Sequence, residues 1–76
     1  MNHLVELSVM HPLAKQIGSR LKEARRKRGI SLETFCKTHH FSLGYLSDIE
    51  NGKRLPTIEM LNRIARALKL RIRYFF

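Results

Sequence analysis

The sequence predicts an all-α chain folded as a compact bundle of four or five helices, and three observations carry that expectation. Apolar residues recur at helical spacing along two long stretches. Two short helical patterns with a tight break lie between those stretches. No repeat or low-complexity segment interrupts the chain. Its 76 residues make one small domain. The single cysteine, Cys36, excludes an internal disulfide, so stability must come from efficient helix packing.

The first long pattern runs from Pro12 to Arg28. Leu13, Ile17, Leu21 and Ala24 fall on one stripe, with Lys15, Arg20, Lys22, Arg26 and Lys27 on the other face. Pro12 suits a helix start, where its missing N–H costs nothing. Residues 1–12 are therefore set apart as an N-terminal arm, loose or briefly extended, or a dimer-contact segment; residues 13–76 form the domain. Gly29 supplies a left-handed C-cap, with Ile30 free to fold back on the last turn. The cationic end Arg25-Arg26-Lys27-Arg28 matches the negative end of the helix dipole.

The short pair occupies Ser31 to Gly52. Ser31 and Ser42 open the two halves as N-caps. Phe35 and His39 share a face in the first half, as Leu46 and Ile49 do in the second. The break falls at His40-Phe41, and Asn51-Gly52 stops the second helix. Helices this short cannot bury a core alone, so they must pack on their long neighbours. Gly52-Lys-Arg-Leu-Pro56 reads as a loop, Thr57 as an N-cap, and Glu59 as a first-turn acid. Ile58, Leu61, Ile64, Ala65 and Leu68 form the second long stripe. The tail from Leu70 to Phe76 alternates strictly, and this pattern fits either a strand or the start of a fifth helix.

Fifteen Lys and Arg against six Asp and Glu leave a formal charge of +9, which points to a polyanionic partner. No apolar run approaches the roughly 20 residues of a membrane span, and nothing resembles an export signal. A reducing, cytoplasmic setting without membrane contact is expected. Two short helices a few residues apart are the unit that places a helix in the major groove of double-stranded DNA. Enzyme chemistry lacks support, because no nucleophile–base pair or glycine-rich phosphate loop is present. Asp48 and Glu50, two apart, point to different sides of a helix. Cys36, His39 and His40 have i, i+3, i+4 spacing, but a structural zinc site wants four ligands and no second pair exists. No metal or cofactor is expected.

Arg25 with Gly29-Ile30-Ser31, the Phe35-Cys36 pair, Leu46-Ser-Asp-Ile-Glu50-Asn-Gly52, Pro56 and Ile64-Ala-Arg-Ala-Leu68 together carry a resemblance. Over roughly Ile17 to Phe76 the chain is similar to the lambda-repressor-like, Cro/CI-type (XRE) helix-turn-helix proteins. The resemblance implies that the helix from Ser42 to Asn51 lies in the major groove, with Leu43, Gly44, Ser47 and Asp48 facing bases. Leu43 can touch thymine methyls, Ser47 suits several bases, and Asp48 can accept from a cytosine amino group. None offers the paired donors of arginine to guanine, so shape should supply part of the specificity.

Ser31, Ser42, Tyr45, Asn51, Lys53 and Arg54 are the expected phosphate contacts, with Lys15 and Arg20 also within reach. Leu32 stands where the family commonly has a phosphate-touching glutamine. Cys36 stands where it usually has alanine, and His40 where the turn usually has glycine. Arg25 and Glu50 match a family pair and are expected to form a partly buried structural salt bridge. One such domain covers a half-site, so a homodimer is expected. Its interface is read from the apolar ends: Tyr74, Phe75 and Phe76, and Leu4, Val5, Leu7 and Val9. Covering of the monomer core by these tails is the alternative. The function expected is a dimeric transcriptional repressor; the alternative is an antitoxin-type module that holds a protein partner.

Overall fold

Among the described residues, four α-helices and one 3₁₀ turn follow in order: α1 (His3–Lys27), α2 (Leu32–His39), α3 (Leu43–Glu50), α4 (Ile58–Ala67) and the turn Ile72–Phe75. The computed structural model describes the backbone from His3 to Phe76 and the side chains from Pro12 onward. The reading of residues 1–12 as an arm or dimer contact, with Leu4, Val5, Leu7 and Val9, lies outside the described side chains. One part of it is corrected by the backbone. Helix α1 begins at His3 and passes through Pro12 instead of starting there. Proline in a helix interior removes one hydrogen bond and crowds the preceding turn, which disfavours the conformation without forbidding it.

Local chemistry sets both ends of the short helices. The side chains of Ser31, Ser42 and Thr57 accept the backbone N–H groups of Thr34, Tyr45 and Met60 at 3.1, 3.3 and 3.1 Å. At the other end, each of the four helices closes on a left-handed residue: Gly29 (φ 67°), His40 (φ 61°), Gly52 (φ 73°) and Lys69 (φ 58°). The following N–H then folds back. Ile30 donates to the Arg25 carbonyl at 3.3 Å, Phe41 to Cys36 at 2.9 Å, Lys53 to Asp48 at 2.9 Å and Leu70 to Ala65 at 2.8 Å.

The core gathers Ile17, Leu21 and Ala24 from α1, Phe35 and Cys36 from α2, Phe41 from the turn, Leu46 and Ile49 from α3, and Leu61, Ile64, Ala65 and Leu68 around α4. Two stripe residues are corrected. Ala14, not Leu13, faces inward, and Ile58 at the first turn of α4 is 66% exposed. The tail is neither a strand nor an α-helix but the 3₁₀ turn, and Phe75 within it is fully buried. Gln16 Nε2 donates to the carbonyls of Phe75 and Phe76 at 3.2 and 3.1 Å, and Arg20 Nη1 to that of Tyr74 at 2.9 Å. These donors tie down carbonyls that a helix end leaves open. Phe75 thus belongs to the core rather than to an exposed interface, and only Phe76 stays mainly outside.

Helix α3 packs on α1 and on α2. The closeness of the first crossing depends on Gly18. A Cβ there would overlap the Ile49 carbonyl oxygen and come within 2.9 Å of that of Glu50.

Candidate nucleic-acid interface

Helix α3 turns Leu46, Ile49 and Glu50 inward. The last of these is a carboxylate in a core, which is tolerable only with a matched partner. Arg25 of α1 provides it. Its Nε and Nη2 donate to the two Glu50 carboxylate oxygens at 2.8 and 2.9 Å, a fork geometry. The side chains are only 8% and 3% exposed. Nη1 of the same guanidinium donates to the Ile30 carbonyl at 2.7 Å, so one side chain joins α1, α3 and the segment leading into α2. The hydrogen bonds to Glu50 raise the Arg25 pKa above its ordinary value, outweighing the opposite effect of burial.

With that face anchored, the helical period turns the rest of α3 outward. Leu43 and Gly44 are exposed, and Ser47 and Asp48 half-buried. Leu43, Gly44 and Ser47 share a concavity of about 490 Å³ with Leu32 and Glu33 from the first turn of α2. Asp48 does not line it. Its carboxylate lies 3.9 Å from Arg54 Nε across an exposed gap. Leu32 and Glu33 join this surface from α2: Leu32 stands at the family's phosphate-touching position, whereas Glu33 carries no sequence signal beyond its place just after the cap Ser31.

Around this face lie the polar and cationic groups. Ser31 Oγ, besides capping, donates to Thr34 Oγ1 at 2.9 Å. Ser42 Oγ accepts from the Tyr45 N–H, leaving its own hydrogen free to donate outward. The Arg54 guanidinium sits 5.2 Å from the Tyr45 ring centroid, where cation and ring attract. Asn51 Nδ2 reaches Ser47 Oγ at 3.5 Å, and Lys53 is exposed in the loop after α3. Lys15 lies beside that loop: a Cβ on Gly52 would come within 2.9 Å of its Cγ. Arg20, expected near phosphate, instead holds the tail, and Arg28 holds the carbonyls of Ala24 and Leu68, each at 2.8 Å.

Cys36 and the two histidines diverge. Cys36 is buried with Sγ 3.9 Å from the Ser42 carbonyl oxygen, and burial pushes its thiol pKa up. The His39 ring rests against Phe35 at 5.0 Å, and His40 is exposed at the left-handed turn. Among the described residues, no three His, Cys, Asp or Glu side chains are grouped to hold a metal ion. No described helix is long and apolar enough to cross a membrane.

Known proteins resemble this chain in sequence and in fold. The transcriptional regulator ClgR of Mycobacterium tuberculosis is 41% identical over 54 residues, covering 71% of this chain and 48% of ClgR. The ImmF control region 10 kDa protein of Bacillus phage phi105 is 38% identical over 56 residues, covering 74% of this chain and 62% of that protein. The chain thus spans about half to two thirds of the length of these relatives. The crystal structure of the restriction-modification controller protein C.AhdI of Aeromonas hydrophila superposes with a TM-score of 0.77 at 28% identity, over 83% of this chain and 96% of that one. An HTH_3 family transcriptional regulator of Vibrio cholerae gives 0.81 at 34% identity, over 88% of this chain and 38% of that one. Residues 21–75, from the middle of α1 to the buried Phe75, match the helix-turn-helix family HTH_3, and the chain belongs to it.

Proposed function

We propose that this chain is a sequence-specific DNA-binding transcriptional regulator that lays α3 in the major groove as one half of a homodimer. It represses by occupying a promoter, and so works in the cytoplasm. The observation that carries this reading is the division of α3 into two faces. One is locked to α1 by a buried ion pair, and the other presents Leu43, Gly44 and Ser47 beside the cationic loop Lys53-Arg54. A rigidly held helix with an uncommitted outer face can read base edges, and hydroxyls and cations at its rim can set its register on the backbone. In these roles Leu43, Gly44 and Ser47 face bases, with Asp48 at their flank. Ser31, Ser42, Tyr45, Asn51, Lys53 and Arg54 face phosphates. The formal charge of +9 and the relatives named as transcriptional regulators support the same reading.

The test is selection of bound sequences from a random DNA pool at near-physiological salt. Enrichment of a palindrome with half-sites about 34 Å apart is the expected result, because two-fold protein symmetry imposes one helical turn on the operator. Salt-sensitive binding without enrichment would leave only generic charge and favour the protein-holding module instead.

A further inference from the structure

We propose that the concavity between the first turns of α2 and α3 is a socket for the C5 methyl group of a pyrimidine, formed by Leu32, Leu43 and Gly44. The inference rests on the major-groove placement of α3 proposed above. In a chain with 15 Lys and Arg, this concavity is lined by none of them. Leu43 is 45% exposed and Leu32 is incompletely buried, although both follow immediately after a capping serine on the surface. Leucine gains nothing from water at such a site, but gains from an apolar group brought to it. Gly44 completes the space. Apart from its chain neighbours and the backbone of its own helix, no atom lies within 4 Å of where its Cβ would be, and glycine is otherwise a poor choice inside a helix.

The chemistry of the groove narrows the occupant. The apolar group that a base pair displays there is the pyrimidine C5 methyl, carried by thymine or by a methylated cytosine. Guanine offers only acceptors at this edge, and the lining opposes to it only the single Ser47 hydroxyl, not the paired donors of an arginine. Glu33 supplies the remaining selection. Its carboxylate only accepts, so the edge beside the methyl must donate: the amino group of adenine paired with thymine, or that of 5-methylcytosine itself. Leu32 therefore reads a base edge from α2, the helix otherwise given to phosphate.

The experiment uses the full chain and the operator recovered by selection. Each thymine is replaced in turn by uracil, which removes only the methyl, and each cytosine by 5-methylcytosine, which adds only one. One pyrimidine per half-site should respond, with binding changing about fourfold per methyl and about 15-fold when both half-sites are altered together. A response to uracil assigns the socket to thymine; a gain with 5-methylcytosine assigns it to that base. Leu43→Ala should bring the response within twofold. Gly44→Leu, which fills open space on a helix, should do the same with a thermal transition at or above that of the parent. Wild-type binding indifferent to methyls at every position overturns the socket but leaves the DNA-reading function intact. Failure to recover any operator overturns both.

Discussion

Arg25 and Glu50 keep two opposite charges out of water, and each makes the other tolerable. Replacing either one alone, by Arg25→Met or Glu50→Leu, should cost about 3–5 kcal/mol in urea unfolding, because the survivor is left buried and uncompensated. The double variant should recover most of that loss, since two apolar side chains need no partner. If the singles cost no more than an exposed pair, the ion pair does not anchor α3. Cys36 gives a pH-dependent expectation. Its pKa in the folded state is raised by burial above the ordinary 9.0, so the folded chain retains a proton that the unfolded chain loses. The stability this contributes is complete below that value and is lost as pH rises through the folded pKa. The stability difference between the parent and Cys36→Ala should therefore stay flat from pH 6 to about 8 and shift against the parent toward pH 10. Native-state alkylation of Cys36 should be slow and should accelerate in denaturant.

At the level of elements, the four left-handed helix ends divide into two that fit their residue and two that do not. Gly29 and Gly52 adopt positive φ freely, whereas His40 and Lys69 carry a Cβ into it. His40→Gly and Lys69→Gly should each stabilise the fold by about 0.5–1 kcal/mol in thermal unfolding, the strain relieved exceeding the added chain entropy. Gly18→Ala should act in the opposite sense. Alanine improves helix propensity by about 1 kcal/mol, yet its methyl meets the backbone of α3, so a net loss of more than about 2 kcal/mol is expected. These elements also show what could be read beforehand. Ser31, Ser42 and Thr57 were legible as caps, and Gly29 and Gly52 as stops, because capping chemistry is local. The same locality misled at Pro12, where a start signal sits inside a helix, and at Ile58, whose exposure is decided by where the core ends. Gly18 carries no local signal, because its reason lies on another helix. The alternating tail placed Leu70, Ile72 and Tyr74 on a half-buried side but failed at its end, where the 3₁₀ turn held by Gln16 and Arg20 buries Phe75 and leaves Phe76 mainly exposed. The concavity joins residues eleven positions apart (Leu32 and Leu43), and no local pattern announces it.

Across the whole molecule, the positive charge does two jobs. Arg20, Arg25 and Arg28 are spent on carbonyls and a carboxylate inside the fold, so counting charges overstates what reaches DNA. Lys53 has no such internal role, being paired with no carboxylate among the described residues. Lys53→Ala should weaken binding to specific and random DNA alike and reduce the slope of log affinity against log salt by about 0.9. An unchanged slope would remove Lys53 from the phosphate contacts.

The latch between Gln16, Arg20 and the final carbonyls spans 54 to 60 residues of sequence. During translation, chain emerges at about 5–20 residues per second, while isolated helices form within about a microsecond. Helices α1, α2 and α3 therefore leave the ribosome before Phe75 does, and the nascent core stays open where that ring belongs. The last step in maturing this domain is timed by the ribosome rather than by the helices.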